Sequence, residues 1–216
     1  MNEYNFPAEK VMVLRQGILE DIELIQKNKA KEQLGLKGNI YLVIGSLVPD
    51  HGADTVIKQA KQIDGTIVIA ASDKAINDRN DTRQIDWLNH LKGIVEKNEI
   101  TNVRFDIKEL PYKLWWKYFA AADIVLLPYK GGIGSGIFAD CVATKKPMVA
   151  SDIKYFREFA KDWEFVQLAS TEFDWGKAIS RMNIGSDIDS DFNEYIKQNG
   201  MTALAKKYKE IYKWEK

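Results

Sequence analysis

Short apolar runs separated by amphipathic segments set the pattern of this chain. Six runs rich in β-branched and aliphatic residues fall at 39–46 (NIYLVIGS), 65–72 (GTIVIAAS), 102–107 (NVRFDI), 123–129 (DIVLLPY), 147–151 (PMVAS) and 164–168 (EFVQL). Their length and composition predict β-strands. Between them, apolar residues recur at helical spacing in 53–63, 83–98 and 112–122. The strands are apolar at consecutive rather than alternate positions, so both faces must be covered. That requires a parallel sheet between layers of helices, joined by right-handed crossovers. The expected fold is therefore α/β, with a parallel sheet of about six strands and helices on both faces.

Beyond about residue 172 the pattern is helical, and the tail at 186–216 closes in MTALAKKYKEIYKWEK, where Leu204, Tyr208, Ile211 and Tyr212 share one face. The lysine-rich opposite face reads first as a solvated surface, with contact to a membrane surface or a partner left open. No repeat, low-complexity tract or Pro/Gly/Ser-rich linker interrupts the chain, so residues 1–216 are expected to form a single domain with 186–216 as its helical tail.

Charge and cysteine content narrow the function classes. Thirty-one basic residues balance 31 acidic ones, so no net field draws in nucleic acid, and any anion must be held by local geometry. A single cysteine, Cys141, excludes an intrachain disulfide and fits a reducing compartment. The chain shows no signal-peptide run and no stretch of about 18 apolar residues. The expected location is the cytoplasm, with peripheral contact at a membrane left open. Two distant histidines and one cysteine build no zinc site, and no EF-hand loop is present, so no metal is expected. The aromatic group Trp115, Trp116, Tyr118 and Phe119 reads mainly as core, because adjacent helical positions point about 100° apart.

In parallel sheets, ligands gather beyond the carboxyl ends of the strands. The turn after 123–129 is the most unusual of these: Lys130, Gly131, Gly132, Ile133, Gly134, Ser135 and Gly136 lead into the helical run IFADCVATKK. Glycines let the backbone approach a ligand, and a helix start offers unpaired N–H groups at the positive end of its dipole, which suits a diphosphate. A plain strand-to-helix turn capped by Ser135 explains the same residues. Neither G-x-G-x-x-G nor a Walker GK[ST] is present. Asp140, just inside that helix, is placed to accept ribose hydroxyls or to sit as a surface acid near the helix start. After the first strand, Gly45 permits close approach and Ser46 is placed to reach a phosphate or sugar hydroxyl, while His51, beside Asp50 and before a glycine, reads either as such a contact or as a solvent-exposed turn residue.

Taken in order, these segments resemble the C-terminal domain of the group 1 glycosyltransferases. KVMVLRQGI resembles that domain's opening strand and Gly-Val-Asp turn. KAKEQLGLKGNIYLVIGSLVPDHGADTVIKQA resembles its lead-in, first strand and following helix. YFAAADIVLLPY resembles the helix and strand before the donor loop, and ATKKPMVASDIKYFRE the segment after the donor helix. The resemblance spans roughly residues 11 to 182 and implies a Rossmann-like domain that is one half of a GT-B fold. It implies sugar transfer from a UDP- or GDP-linked donor to a hydroxyl of a glycan, lipid or small-molecule acceptor, with retention and without metal. The donor would be held by Gly45, Ser46, Lys130, Gly132, Gly134, Ser135, Gly136, Ile137 and Asp140, with His51 and Asp140 in catalytic roles.

The sequence departs from the family at three places. Of the family's two glutamates, which have seven residues between them, the second falls on Asp140 and the first on Gly132, which has no side chain. The basic pair after the first strand falls on Ser46 and His51. Three readings follow: backbone N–H groups of residues 135–137 take over the diphosphate, Lys130 or a protonated His51 restores the charge, or the domain is a non-catalytic sugar-nucleotide-binding relative. A GT-B enzyme also needs an N-terminal acceptor domain, in cis or in trans, so the chain alone is expected to bind nucleotide with little turnover.

Overall fold

In the computed structural model, which describes residues 11–77, 82–170, 173–182 and 186–213, every predicted apolar run becomes a strand. They are β1 (Ile40–Ile44), β2 (Thr66–Ala71), β3 (Val103–Ile107), β4 (Ile124–Leu127), β5 (Met148–Ser151) and β6 (Val166–Ala169). They form one six-stranded sheet in the order β3-β2-β1-β4-β5-β6, with every pairing parallel. All positions of β1 and β4 are buried, as expected where helices cover both faces. The edge strand β3 is mostly half-buried.

The helices are α1 (Lys27–Leu34), α2 (Ala53–Ile57), α3 (Asp73–Ile76), α4 (Arg83–Lys97), α5 (Tyr112–Ala121), α6 (Gly136–Ala143), α7 (Lys154–Ala160), α8 (Trp175–Arg181), α9 (Ser186–Asn199) and α10 (Met201–Lys213). The helix expected over 53–63 is shorter: α2 ends at Ile57, and a single 3-10 turn follows at Ala60–Gln62. In the turn that follows, the Asn102 side-chain amide lies 2.7 Å from the Ala60 carbonyl, 3.1 Å from that of Ile63 and 3.0 Å from that of Gly65. By drawing those carbonyls toward itself, Asn102 turns the chain into β2.

The opening strand expected from KVMVLRQGI does not form among the described residues of that segment. Ile18 makes only an isolated bridge to Gly200, accepting from the Met201 N–H at 3.0 Å and donating to the Asn199 carbonyl at 3.0 Å. The segment runs beside the α9–α10 junction instead of a sheet edge, so it has no ladder to join. Among the described side chains of α10 none is fully buried, and Tyr208 and Tyr212 are exposed.

Under α6 the core is aromatic. Phe138 packs against Phe159 at 4.2 Å between ring centroids, and Phe165 stacks on Phe192 at 4.5 Å. Phe138, Phe156, Phe159, Phe165, Phe192 and Tyr195 are all buried. This cluster fixes the first turns of α6 and α7, the two helices that leave the strand ends nearest the glycine-rich loop.

Candidate functional site

The strand order reverses between β1 and β4. The chain moves outward through β2 and β3, then returns to the other side of β1 for β4, β5 and β6. At such a reversal the connections on either side diverge and leave a crevice beyond the carboxyl ends. Residues 45–52 form one wall and residues 128–137 the other, so the sheet brings the two sequence-predicted loops together.

They are clasped at several points. The Lys130 N–H donates to the Asp50 carbonyl at 2.8 Å. The His51 imidazole stacks on Tyr129 with centroids 4.7 Å apart and planes 18° apart, and its Nδ1 lies 2.8 Å from the Ser46 carbonyl. Gly45, at φ 118°, leaves a Cβ position only 3.4 Å from Ile137 Cδ1. Gly52 is tightest: at φ 63° a Cβ there would stand 1.8 Å from the Pro128 carbonyl oxygen. These contacts leave the β1 side nearly closed, with a cavity of about 10 Å3 among Gly45, Ser46, His51 and Tyr129. The open space lies on the other flank of the loop, where a cavity of about 370 Å3 is lined by Gly132, Ile133, Gly134, Lys154, Tyr155 and part of residues 13–18.

Ser135 caps α6: its hydroxyl accepts from the Phe138 N–H at 3.1 Å and pairs with the Tyr129 hydroxyl at 3.1 Å. Its side chain therefore has its bonds within the protein. The next backbone donors, Gly136 and Ile137, have no protein acceptor among the described residues. They are the orphan N–H groups that every helix start carries. Within the loop only Gly132 takes a left-handed backbone, at φ 143°. A Cβ on Gly131, Gly134 or Gly136 would meet no atom within 4 Å. The loop stands open to solvent, and Ile133 at its tip is fully exposed.

Asp140 lies one turn into α6 and is half-buried. Its Oδ2 accepts from the Trp115 indole N–H at 3.0 Å, while Oδ1 has no partner among the described residues. Burial raises the Asp140 pKa, and the bond from Trp115 opposes that rise only in part. Trp115 packs half-buried against the core, with Phe119 at 5.8 Å between ring centroids, and its indole N–H also orients the candidate ribose acceptor. Indole N–H groups near the interior seek such partners. Trp116 is buried, as expected for core.

Lys130 points away from the loop. Its Nζ lies 3.1 Å from Asp54 Oδ1 and 5.4 Å above the Trp87 ring. Asp54 is 6% exposed and also takes Lys58 at 3.1 Å. Burial alone would raise the Asp54 pKa, but the two lysines outweigh it and hold the carboxyl below its usual range. The Lys130 charge is therefore already matched by a buried carboxylate.

Asp54, Gly52, Tyr129, Trp115 and Lys154 all shape the site without having been read as site residues from the sequence. The doublet His51-Gly52 was the one available signal, since Gly before a helix marks a special backbone. Among the described residues, no three His, Cys, Asp or Glu side chains gather as a metal-ligand set. No helix there is long and apolar enough to cross a membrane.

Comparison with known proteins agrees with this fold. The family described as "Glycosyl transferases group 1" matches residues 25–200. Among solved structures, the chain is similar to sucrose-phosphate synthase from Thermosynechococcus elongatus at TM-score 0.71 and 16% identity, covering 88% of this chain and 49% of that one. It is similar to a glycosyltransferase from Rickettsia africae at TM-score 0.73 and 16% identity, covering 98% and 59%. It is also similar to Anabaena HepE in complex with UDP-glucose, at TM-score 0.74 and 15% identity, covering 97% and 59%. The chain thus spans 49% to 59% of the length of these proteins. No curated protein sequence matches it.

Proposed function

Because the chain belongs to the group 1 glycosyl transferases, we propose that it supplies the donor-binding half of a site that transfers a sugar from a nucleotide-sugar to an acceptor hydroxyl, with retention. One observation carries this reading. The glycine-rich loop and the start of α6, with free N–H groups at Gly136 and Ile137, lie where the strand order reverses. Backbone donors and a helix dipole at that place suit a diphosphate.

In this reading Gly136 and Ile137 hold the diphosphate, Asp140 takes the ribose through the oxygen that Trp115 leaves free, and Gly45 lets the donor approach β1. His51 contacts phosphate or sugar through Nε2, because its Nδ1 is occupied by Ser46. These groups position the donor and stabilise charge developing on the leaving diphosphate, and they need no bound metal. HepE is described with UDP-glucose, which makes a UDP-linked sugar the first donor to try here, with a GDP-linked sugar next. The acceptor, a glycan, lipid or small molecule, and the N-terminal acceptor domain belong to the other half of the site.

Calorimetric titration of the chain with UDP, GDP, UDP-glucose and NAD tests the reading. Binding of a nucleoside diphosphate, with transfer only after an acceptor domain is supplied, supports it. Binding without transfer under that condition supports a non-catalytic donor-binding module. NAD binding with no response to any nucleoside diphosphate overturns the reading.

A further inference from the structure

A diphosphate leaving with extra negative charge needs a cation, and the cations around the strand ends are largely committed. Lys130 and Lys58 share the buried Asp54. Lys74 pairs with Glu109 at 2.6 Å, Arg157 pairs with Asp152, and Arg15 pairs with Glu158 at 3.2 Å while lying over Phe159. Lys108 lies 5.6 Å above the Tyr118 ring. On the β1 side, Ser46 and His51 supply no fixed charge.

Lys154 differs from all of these. It opens α7 immediately after the β5 loop, is exposed, and has no carboxylate within ion-pair distance among the described residues. α7 itself is firmly seated, with Phe156 0% and Phe159 3% exposed, so the base of the Lys154 side chain is fixed. Lys154 lines the cavity of about 370 Å3 together with Gly132, Ile133 and Gly134, a volume within the range of small-molecule sites, roughly 300–1,000 Å3. Gly132 brings no side chain into that cavity.

We propose that Lys154 is the cation of the donor site: it contacts the diphosphate of the nucleotide-sugar from the β5 side, in place of the charge that positions 46 and 51 do not provide. The inference rests on the donor-site reading above. An ammonium on a flexible stem reaches a phosphate oxygen without a fixed fork geometry, and no existing ion pair has to break for it to do so.

The test is calorimetry on the full chain with UDP and GDP, and with uridine and guanosine as probes lacking phosphate. Lys154→Ala should weaken nucleoside diphosphate binding about tenfold, the loss expected for a charge-assisted hydrogen bond, while nucleoside binding stays unchanged. Lys154→Arg should retain most of the affinity, and Lys161→Ala, at the far end of α7, should match the wild type. The loss in Lys154→Ala should shrink as salt is raised. Since Lys154 is exposed, its removal should leave the melting temperature nearly unchanged. Equal diphosphate affinity in wild type and Lys154→Ala overturns the proposal and leaves the donor reading standing, as does an equal loss for the nucleosides. A wild-type chain that binds neither diphosphate removes the donor reading and the proposal with it.

Discussion

Replacing Gly52 with alanine tests whether the loops after β1 and β4 are locked together. Gly52 sits at φ 63°, ψ 19°, a conformation that strains an L-residue by roughly 1–2 kcal/mol. The added Cβ would stand 1.8 Å from the Pro128 carbonyl oxygen, about half an ordinary contact distance of roughly 3.5 Å. The obstacle is backbone, so the two loops must move apart. Gly35 is a matched reference: it also sits at φ 63°, but its nearest neighbour to a new Cβ is an Arg104 guanidinium nitrogen at 3.9 Å. Gly35→Ala therefore carries the strain alone, partly offset by about 0.4–1 kcal/mol from the stiffer unfolded chain, for a net loss of about 1 kcal/mol. Gly52→Ala adds an overpacking cost of about 2–3 kcal/mol. At roughly 2–4 °C per kcal/mol for a chain of this size, the melting temperature should fall by about 2–4 °C in Gly35→Ala and by about 6–16 °C in Gly52→Ala. Thermal melts followed by circular dichroism, with urea titrations for the free energies, measure both. Equal losses in the two variants would refute the clasp, and with it the placement of His51 against Tyr129.

Three further outcomes follow. Asp140→Ala should weaken nucleoside diphosphate binding about tenfold or more, from a lost charge-assisted hydrogen bond of roughly 1.5–3 kcal/mol; Trp115→Phe should weaken it less, by releasing Asp140 Oδ2, and calorimetry that found no change in either variant would remove Asp140 from the site. Phe138→Ala should destabilise the fold by about 3–5 kcal/mol, because the ring is 2% exposed within the aromatic cluster, and a urea titration showing less than about 1 kcal/mol would mean that α6 is not anchored there. Burial, helped by the nearby Lys27 charge, lowers the Lys146 pKa from 10.5 to about 8. Between those values this lysine binds more protons in the unfolded chain than in the folded one, so its contribution to stability rises with pH from about 8 toward 10, against the buried Cys141 thiol, whose raised pKa acts in the opposite direction. Lys146→Met should flatten that rise in urea titrations across the window, although it also loses bonds to the Ala120 and Ala122 carbonyls at 3.2 and 2.9 Å. A stability difference between wild type and Lys146→Met that stays flat or falls across the same window would contradict the assignment.

The sheet was legible in the sequence because burial on both faces writes strands as unbroken apolar runs, and β1, β4 and β5 are such runs. The glycine-rich loop stood out because four glycines before an apolar helix have few structural uses, and the fold sets it at the strand reversal. The fate of side chains was not. Lys130 and Asp54 are far apart along the chain and meet only because β1 and β4 are neighbours, so the lysine read from sequence as a free charge is one already paired. Trp115 and Asp140 sit on different helices, and no local periodicity pairs them. Gly52 looked like an ordinary turn residue, since its need for a bare Cα comes from the Pro128 carbonyl across the crevice. The segment before Ile18 has strand-like composition, but strand formation also needs a free edge, and none is offered there. Lys154 is one lysine among many until the fold sets it in the wall of the same cavity as Gly132.

The central claim is that the glycine-rich loop and the start of α6 hold a nucleoside diphosphate. A crystal structure of the chain soaked with UDP or GDP tests it most directly. The account predicts phosphate oxygens within hydrogen-bond distance of the Gly136 and Ile137 N–H groups, the ribose on Asp140 and the Lys154 ammonium turned toward the diphosphate. A nucleotide bound elsewhere on the chain, or seated in this crevice with its phosphates directed away from the start of α6, would contradict it.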